Sequence, residues 1–226
     1  RRRWRALRAT SLAPLSPGRS TLFGPLGLSH PFGISTYNHR PWQEAKLTRN
    51  LADCLMARDR GAARSIALLQ SLAELESRLN PKGAAPPFAA QLNESSRVTV
   101  TAEQPVNARK GSTSGRIDLL IEWGRGAERA TVVIEAKLGA LVTPTQLSRY
   151  RSFAKSRAKG CLPPALYLVT LGADPAAERN RDWVAVRWFD LMRRWEQRLA
   201  TLGDDDAGFA AVRSSIWHHV VHGEKR

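Results

Sequence analysis

Short apolar runs separated by polar, glycine-rich stretches predict a set of β-strands in the middle of the chain. Residues 131–137 have the sequence Thr-Val-Val-Ile-Glu-Ala-Lys, whose three β-branched residues predict a buried strand. Residues 116–123 form a second apolar run, and the polar stretch between the two runs predicts a hairpin. Further strands are predicted at 97–103, 165–171 and 183–188.

Apolar residues spaced three and four positions apart predict helices around these strands. This spacing occurs at residues 43–56, 62–79, 144–159 and 190–199. Thr143 suits the N-cap of the third helix and Pro144 its first position. In chain order the elements are αα-βββ-α-ββ-α, which predicts an α/β protein with a mixed central sheet. This pattern does not predict the order of the strands in the sheet.

Three charged residues interrupt the two central apolar runs. Glu135 and Lys137 are two positions apart, so a strand directs them to the same side, about 7 Å apart along the chain. The predicted hairpin places Asp118 beside them. Charges at the edge of a buried strand cost free energy unless they have partners or a chemical role. The cluster is therefore either a reactive site or a buried salt network without catalytic use.

The order of these residues resembles a known signature. Asp118, then Glu135-Ala136-Lys137, resembles that of the PD-(D/E)xK nuclease superfamily, and Gln146-Leu147-Ser148-Arg149-Tyr150 resembles the Gln-x-x-x-Tyr motif of its RecB and lambda-exonuclease branch. The resemblance covers roughly residues 44–188, with Ile117 in place of the family's proline. It implies a restriction-endonuclease-like three-layer core with a mixed central β-sheet flanked by helices.

The resemblance also implies roles at the metal. Asp118, Glu135 and the backbone carbonyl of Ala136 would hold Mg²⁺, for which Mn²⁺ can substitute, and Lys137 would orient the attacking water or offset charge on the phosphate. Glu44 matches a superfamily glutamate that reaches the metal site from the preceding helix. It can equally be a first-turn glutamate favoured by the helix dipole.

Other site residues follow from the same resemblance. Gln146 and Tyr150 would position the lysine, the metal-bound waters or the phosphate. Glu76 is a reserve candidate for the helix acid, and the alternative is a solvated residue on the flank of its helix. The function implied is a metal-dependent nuclease that hydrolyses phosphodiester bonds, with DNA favoured over RNA. The alternative is a catalytically silent nuclease-like subunit that binds nucleic acid or a partner protein. Exonuclease and endonuclease action are not distinguished.

The charge balance agrees with a polyanionic partner. Lys and Arg total 35 against 20 acidic residues, for a formal net charge of +15. No acid occurs between residues 138 and 173, so the cations after the predicted site are interpreted as binding phosphate rather than as a solvated face. These cations are Arg149, Arg151, Lys155, Arg157 and Lys159. A homodimer and a partner ATPase or helicase subunit both remain open.

Composition further divides the chain. Residues 1–40 carry seven arginines and no acid, which predicts a basic tail or, as the alternative, an organellar transit segment. Residues 41–200 form the predicted nuclease-like domain, and residues 201–226 a helical extension in which Asp204, Asp205 and Asp206 supply a helix cap with solvated neighbours. Two cysteines cannot ligate the four-cysteine iron–sulfur cluster of some relatives. No apolar run approaches the roughly 18 residues that span a membrane, and the cytoplasm is the predicted compartment.

Overall fold

The computed structural model describes residues 41–92, 97–106, 115–139, 142–172 and 180–223. The predicted basic tail of residues 1–40 lies outside these ranges, as do Arg109 and Lys110 of the polar loop before the second strand.

The described residues form four helices and five strands in the predicted order, followed by a fifth helix. They are α1 (Pro41–Leu55), α2 (Gly61–Leu79), β1 (Thr99–Val106), β2 (Gly115–Trp123), β3 (Ala130–Ala136), α3 (Pro144–Arg157), β4 (Ala165–Thr170), β5 (Val184–Arg187), α4 (Trp188–Leu202) and α5 (Ala207–Gly223). Short 3-10 turns lie at Pro87–Gln91 and Gly126–Glu128. β1 continues three residues beyond its predicted end, because it stays paired with β2 as far as Val106.

The strands lie in the sheet in sequence order, β1-β2-β3-β4-β5. β1, β2 and β3 pair antiparallel, whereas β4 and β5 continue parallel to β3. Every residue of β3 is buried. A strand covered on both faces has no solvent-facing side chains, which explains why its sequence is a continuous apolar run rather than an alternating one.

Helices cover both faces of the sheet and create two cores. The smaller core lies under α3 and includes Val133, Leu147 and Leu166. The larger core lies on the other face, where α1, α2, α4 and α5 pack around Ile134 and Trp195. The three layers confirm the predicted α/β class and restriction-endonuclease-like architecture. None of the helices in the described part of the chain is both long and apolar enough to cross a membrane.

α5 is part of the larger core. Its apolar residues Phe209, Val212 and Ile216 are fully buried there, next to α1 and α4. The predicted division into residues 41–200 and 201–226 stays a prediction.

The turn between α4 and α5 differs in one respect from the predicted helix cap. Asp206 does cap α5, since its Oδ1 accepts a hydrogen bond from the backbone N–H of Phe209. Asp204, however, is not solvated: its side chain is only 3% exposed and pairs with Arg64 of α2. The prediction was wrong for Asp204 because its partner lies 140 positions earlier in the chain.

β1 and β2 exchange faces at Glu103 and Asp118. On one side of this position, Val100 of β1 and Leu119 of β2 face the larger core. On the other side, Val106 of β1 and Ile117 of β2 face the smaller core. The register is the same on both sides, but the Glu103–Asp118 position is left out of the ladder, and Glu103 has a φ of +53°. A non-glycine residue in the left-handed region marks a local distortion. Asp118 therefore lies beneath α3, at the position where the buried side chains of β1 and β2 change from one face of the sheet to the other.

Candidate active site

Asp118, Glu135 and Lys137 meet on the α3 side of the sheet and form what we call the site cluster. The Lys137 Nζ lies 2.7 Å from the Glu135 Oε1 and 3.5 Å from the Asp118 Oδ2. The Asp118 Oδ2 also accepts a 2.8 Å hydrogen bond from the backbone N–H of Ala136. The Glu135 side chain is fully buried, and those of Asp118 and Lys137 are 12% and 13% exposed. The predicted three-residue cluster thus forms at one edge of the buried sheet.

Gln146 and Tyr150 extend this cluster from the first turns of α3. The Gln146 Nε2 lies 2.7 Å from the Glu135 Oε1, to which it donates, and 3.2 Å from the Tyr150 hydroxyl oxygen. The Tyr150 hydroxyl donates to the carbonyl of Arg116 at 2.6 Å. Thr143 caps the helix as predicted, because its side chain accepts from the Gln146 N–H. Gln146 and Tyr150 therefore join α3 to both strands that carry the cluster.

The ionisation of the Glu135 carboxylate is dominated by its burial. Burial, and next the charge of Asp118, raise its pKa to about 8 in spite of the neighbouring Lys137 ammonium. Burial and the charge of Glu135 likewise raise the pKa of Tyr150. The Glu135 Oε2 is buried and has no hydrogen-bond partner among the described residues. A buried oxygen left in this way costs free energy.

This donor set suits one class of metal. Asp118 and Glu135 offer hard carboxylate oxygens, and the unpartnered Oε2 is an open ligand position. Within the described ranges no three His, Cys, Asp or Glu side chains are grouped to hold an ion by themselves. Mg²⁺ binds through one or two carboxylates and completes its shell with water and substrate phosphate, so a site with two carboxylates fits it.

A comparison with protein families decides the identity. A model of the PD-(D/E)XK nuclease superfamily matches residues 41–207, which include the whole sheet and the site cluster. The chain belongs to this superfamily. Membership indicates a nuclease, and the RecB-like branch suggested by the Gln-x-x-x-Tyr motif stays a prediction. No match to the chain was found among curated proteins or among solved structures.

Two helix glutamates were considered for this superfamily site. Glu44 lies in the first turn of α1, but its side chain is outside the described part of the structure, so its role stays a prediction. Glu76 accepts a 2.5 Å hydrogen bond from the hydroxyl of Tyr167. Tyr167 pairs with Ile134 and packs in the larger core, on the opposite face of the sheet from Glu135. Glu76 as the reserve candidate is therefore wrong. Use of the Ala136 carbonyl stays a prediction.

Acidic residues pair with some of the five cations that are predicted to bind nucleic acid. Arg151 and Lys155 lie 2.5 and 3.3 Å from the carboxylate of Asp182. Arg157 makes two hydrogen bonds to Glu122, of 2.8 and 2.6 Å. The acid-free stretch of residues 138–173 therefore does not leave these cations unpaired, because Asp182 and Glu122 lie outside it. The pairs with Asp182 are partly exposed and weak, so they can yield to phosphate, whereas the Glu122 side chain is only 15% exposed.

The cations also differ in their distance from the site cluster. At about 100° per residue, Arg149 is about 60° around α3 from Gln146, whereas Arg151 and Lys155 are about 140° and 180° away. A Cβ on Gly115, at the start of β2, would lie 3.0 Å from the Tyr150 hydroxyl and 3.2 Å from the Arg149 guanidinium. Arg157 lies about 16 Å along the helix from Gln146. Arg149 is thus the cation of α3 nearest to the site cluster.

Proposed function

We propose that the protein is a metal-dependent nuclease that hydrolyses phosphodiester bonds, in DNA rather than RNA, through Asp118, Glu135 and Lys137. The observation that carries this proposal is the buried carboxylate of Glu135, which lies beside the Asp118 carboxylate and the Lys137 ammonium. Its Oε2 has no hydrogen-bond partner among the described residues. A purely structural salt network gains nothing from an unsatisfied buried oxygen. A bound cation would supply the partner that this oxygen lacks.

Asp118 and Glu135, with the Ala136 carbonyl, would hold Mg²⁺ or Mn²⁺. When bound, such an ion activates water and stabilises negative charge on the phosphoryl group. The preference for DNA is supported by the resemblance of the Gln146 and Tyr150 motif to the exonuclease branch of the superfamily.

The chain's own residues would divide the remaining work. The Lys137 ammonium donates hydrogen bonds to the attacking water or to a phosphate oxygen, where negative charge develops. Gln146 donates to the Oε1 of Glu135 and so restrains the orientation of that carboxylate. The Ala136 N–H fixes one oxygen of Asp118. Arg149 lies where it can bind a phosphate next to the scissile one, with the other α3 cations along the flanking backbone.

The experiment compares cleavage of plasmid DNA, linear single-stranded DNA and an RNA of the same sequence, in Mg²⁺, in Mn²⁺ and in EDTA. The wild type should cut DNA only with a metal. Asp118→Asn, Glu135→Gln and Lys137→Ala should each reduce the rate by about a hundredfold or more while remaining folded.

The matched control is Glu76→Gln, because Glu76 is a partly buried acid on the opposite face of the sheet. It should retain the wild-type rate. Undiminished cutting by a folded variant of the site cluster would remove that residue from the mechanism. Metal-independent binding without cutting of any substrate would favour the catalytically silent subunit.

A further inference from the structure

Lys137 lies one residue beyond the end of β3, so the sheet alone does not hold its backbone in place. Its N–H donates to the carbonyl of Val169 in β4 at 2.7 Å. Its own carbonyl accepts a 3.2 Å hydrogen bond from the indole Nε1 of Trp188. The backbone at the proposed catalytic lysine is therefore bonded to a strand through its N–H and to the side chain of Trp188 through its carbonyl.

Trp188 is itself held firmly. It is the first residue of α4, it is 3% exposed, and with Leu47, Ala136 and Leu138 it lines a small apolar cavity on the larger-core side of the sheet. Apolar packing sets the plane of the ring, and its one polar atom is directed at the Lys137 carbonyl. The bond thus reaches the end of β3 from the face opposite the site cluster.

Burial of a tryptophan does not by itself produce a hydrogen bond to the site cluster. Trp195, on the same helix, donates to the carbonyl of Arg64 at 3.1 Å. The Nε1 of Trp123 is buried without a partner among the described residues. Of the indole hydrogen bonds to backbone carbonyls in the described ranges, the one from Trp188 ends on a residue of the site cluster.

We propose that Trp188 is a positioning residue for the Lys137 ammonium, an inference that rests on the proposed function. The Lys137 side chain reaches the two carboxylates through four rotatable bonds, so its reach depends on the orientation of the peptide from which it starts. Without the indole N–H, the peptide that links Lys137 to Leu138 can rotate, and the ammonium leaves its 2.7 Å contact with Glu135. Displacement of a reacting group by about 1 Å costs up to about a hundredfold in rate.

Trp188→Phe tests this, because it keeps an aromatic ring beside the cavity and removes the indole donor together with part of the ring volume. Trp195→Phe is the matched control, since it removes an equivalent bond from the same helix. Both variants should lower the urea midpoint of unfolding by similar amounts. Trp188→Phe alone should reduce the single-turnover cleavage rate by about 10- to 100-fold, with unchanged affinity for nucleic acid. Equal rates for the two variants would overturn the proposal.

A second measurement does not depend on cleavage. In protein labelled with ¹³C at the lysine ε-carbon, the resonance of Lys137 is assigned by its loss in Lys137→Ala. It should shift or broaden in Trp188→Phe and stay in place in Trp195→Phe. If the wild type does not cut any substrate, the proposed function fails, and this resonance still decides the inference. An unmoved Lys137 resonance in Trp188→Phe would overturn the positioning role.

Discussion

The protein contains two clusters of charged side chains, each built around one buried member, Glu135 or Arg64, and they are satisfied to different degrees. The second, which we call the arginine cluster, consists of Arg64, Asp204 and Asp206. Arg64 is 1% exposed, yet it bonds to both oxygens of Asp204, at 2.5 and 2.8 Å, and to Asp206 at 3.0 Å. It also donates to the carbonyl of Cys54, and its guanidinium stacks 4.2 Å from the ring centre of Phe209. The site cluster, in contrast, leaves the Glu135 Oε2 without a described partner.

The two clusters also differ in the protonation state that folding favours for their carboxyl groups. The hydrogen bond from Arg64 lowers the pKa of Asp204, so the ionised form is favoured. Burial raises the pKa of Glu135 to about 8, so the ionised form is disfavoured. A cluster whose groups satisfy one another stabilises the fold. A cluster that remains unsatisfied costs stability, and such a cost is typical of sites retained for function.

Breaking the arginine cluster should have the largest effect on stability. Arg64→Met leaves the buried Asp204 without its cation, so the free energy of unfolding should fall by about 3–5 kcal/mol. Urea denaturation at pH 7 measures this. Arg78→Met is the control on the same helix, because Arg78 is 54% exposed in its pair with Glu74 and should cost at most about 1 kcal/mol. Equal losses would contradict the structural role of the arginine cluster.

The free energy of unfolding should depend on pH differently at the two clusters. This effect should be smaller than the loss caused by breaking the arginine cluster. The pKa of Glu135 is raised from about 4.3 in the unfolded chain to about 8, so the metal-free wild type loses stability as the pH rises through this window. Glu135→Gln cannot ionise. Its free energy of unfolding relative to wild type should therefore increase by about 1–3 kcal/mol between pH 4 and pH 9, measured by urea denaturation in EDTA.

The control for this prediction is Asp204→Asn, for which the sign is opposite. The pKa of Asp204 is lowered in the folded state, so its stabilisation is present above its unfolded-state pKa of about 3.9 and is lost as the pH falls through its folded-state value. The variant should be less stable than wild type at neutral pH and should approach it in acid. A pH-independent difference for Glu135→Gln would mean that Glu135 is not ionised at an energetic cost.

The smallest effect on the free energy of unfolding is expected at the ion pairs between α3 and Asp182. The charges of these pairs have partners, but they are already screened by water. Asp182→Asn releases Arg151 and Lys155 and should change the free energy of unfolding by less than about 1 kcal/mol. If both cations then bind phosphate, the slope of log affinity against log salt should steepen by up to about 2 on duplex DNA, at about 0.9 per phosphate.

Fluorescence anisotropy between low and moderate salt measures this slope. The reverse change, Arg151→Ala together with Lys155→Ala, should flatten it and weaken binding to unrelated sequences equally, because phosphate contacts carry no base readout. An unchanged slope in both variants would place the nucleic acid away from this side of α3.

The grouping of Glu135 with Lys137, and of Gln146 with Tyr150, could be inferred from sequence because the signals are local, whereas Asp118 needed the predicted hairpin. A strand alternates its side chains, so the two-residue spacing of Glu135 and Lys137 already puts them on one side. The four-residue spacing of Gln146 and Tyr150 does the same on a helix, and Thr143 before Pro144 marks where that helix begins. Each of these inferences needs only neighbours within a few positions of the chain.

The contacts that could not be inferred from sequence join residues far apart in the chain. Periodicity shows which side of an element is buried, but not which residue lies opposite it. The pairing of Arg64 with Asp204, the acids that meet the α3 cations, the face on which Glu76 lies and the bond from Trp188 to Lys137 each depend on how distant elements pack. The sequence alone thus determined the secondary structure and the composition of the site cluster. Packing decided the partners of its charges, because contact energies between side chains arise only once the chain has brought them together.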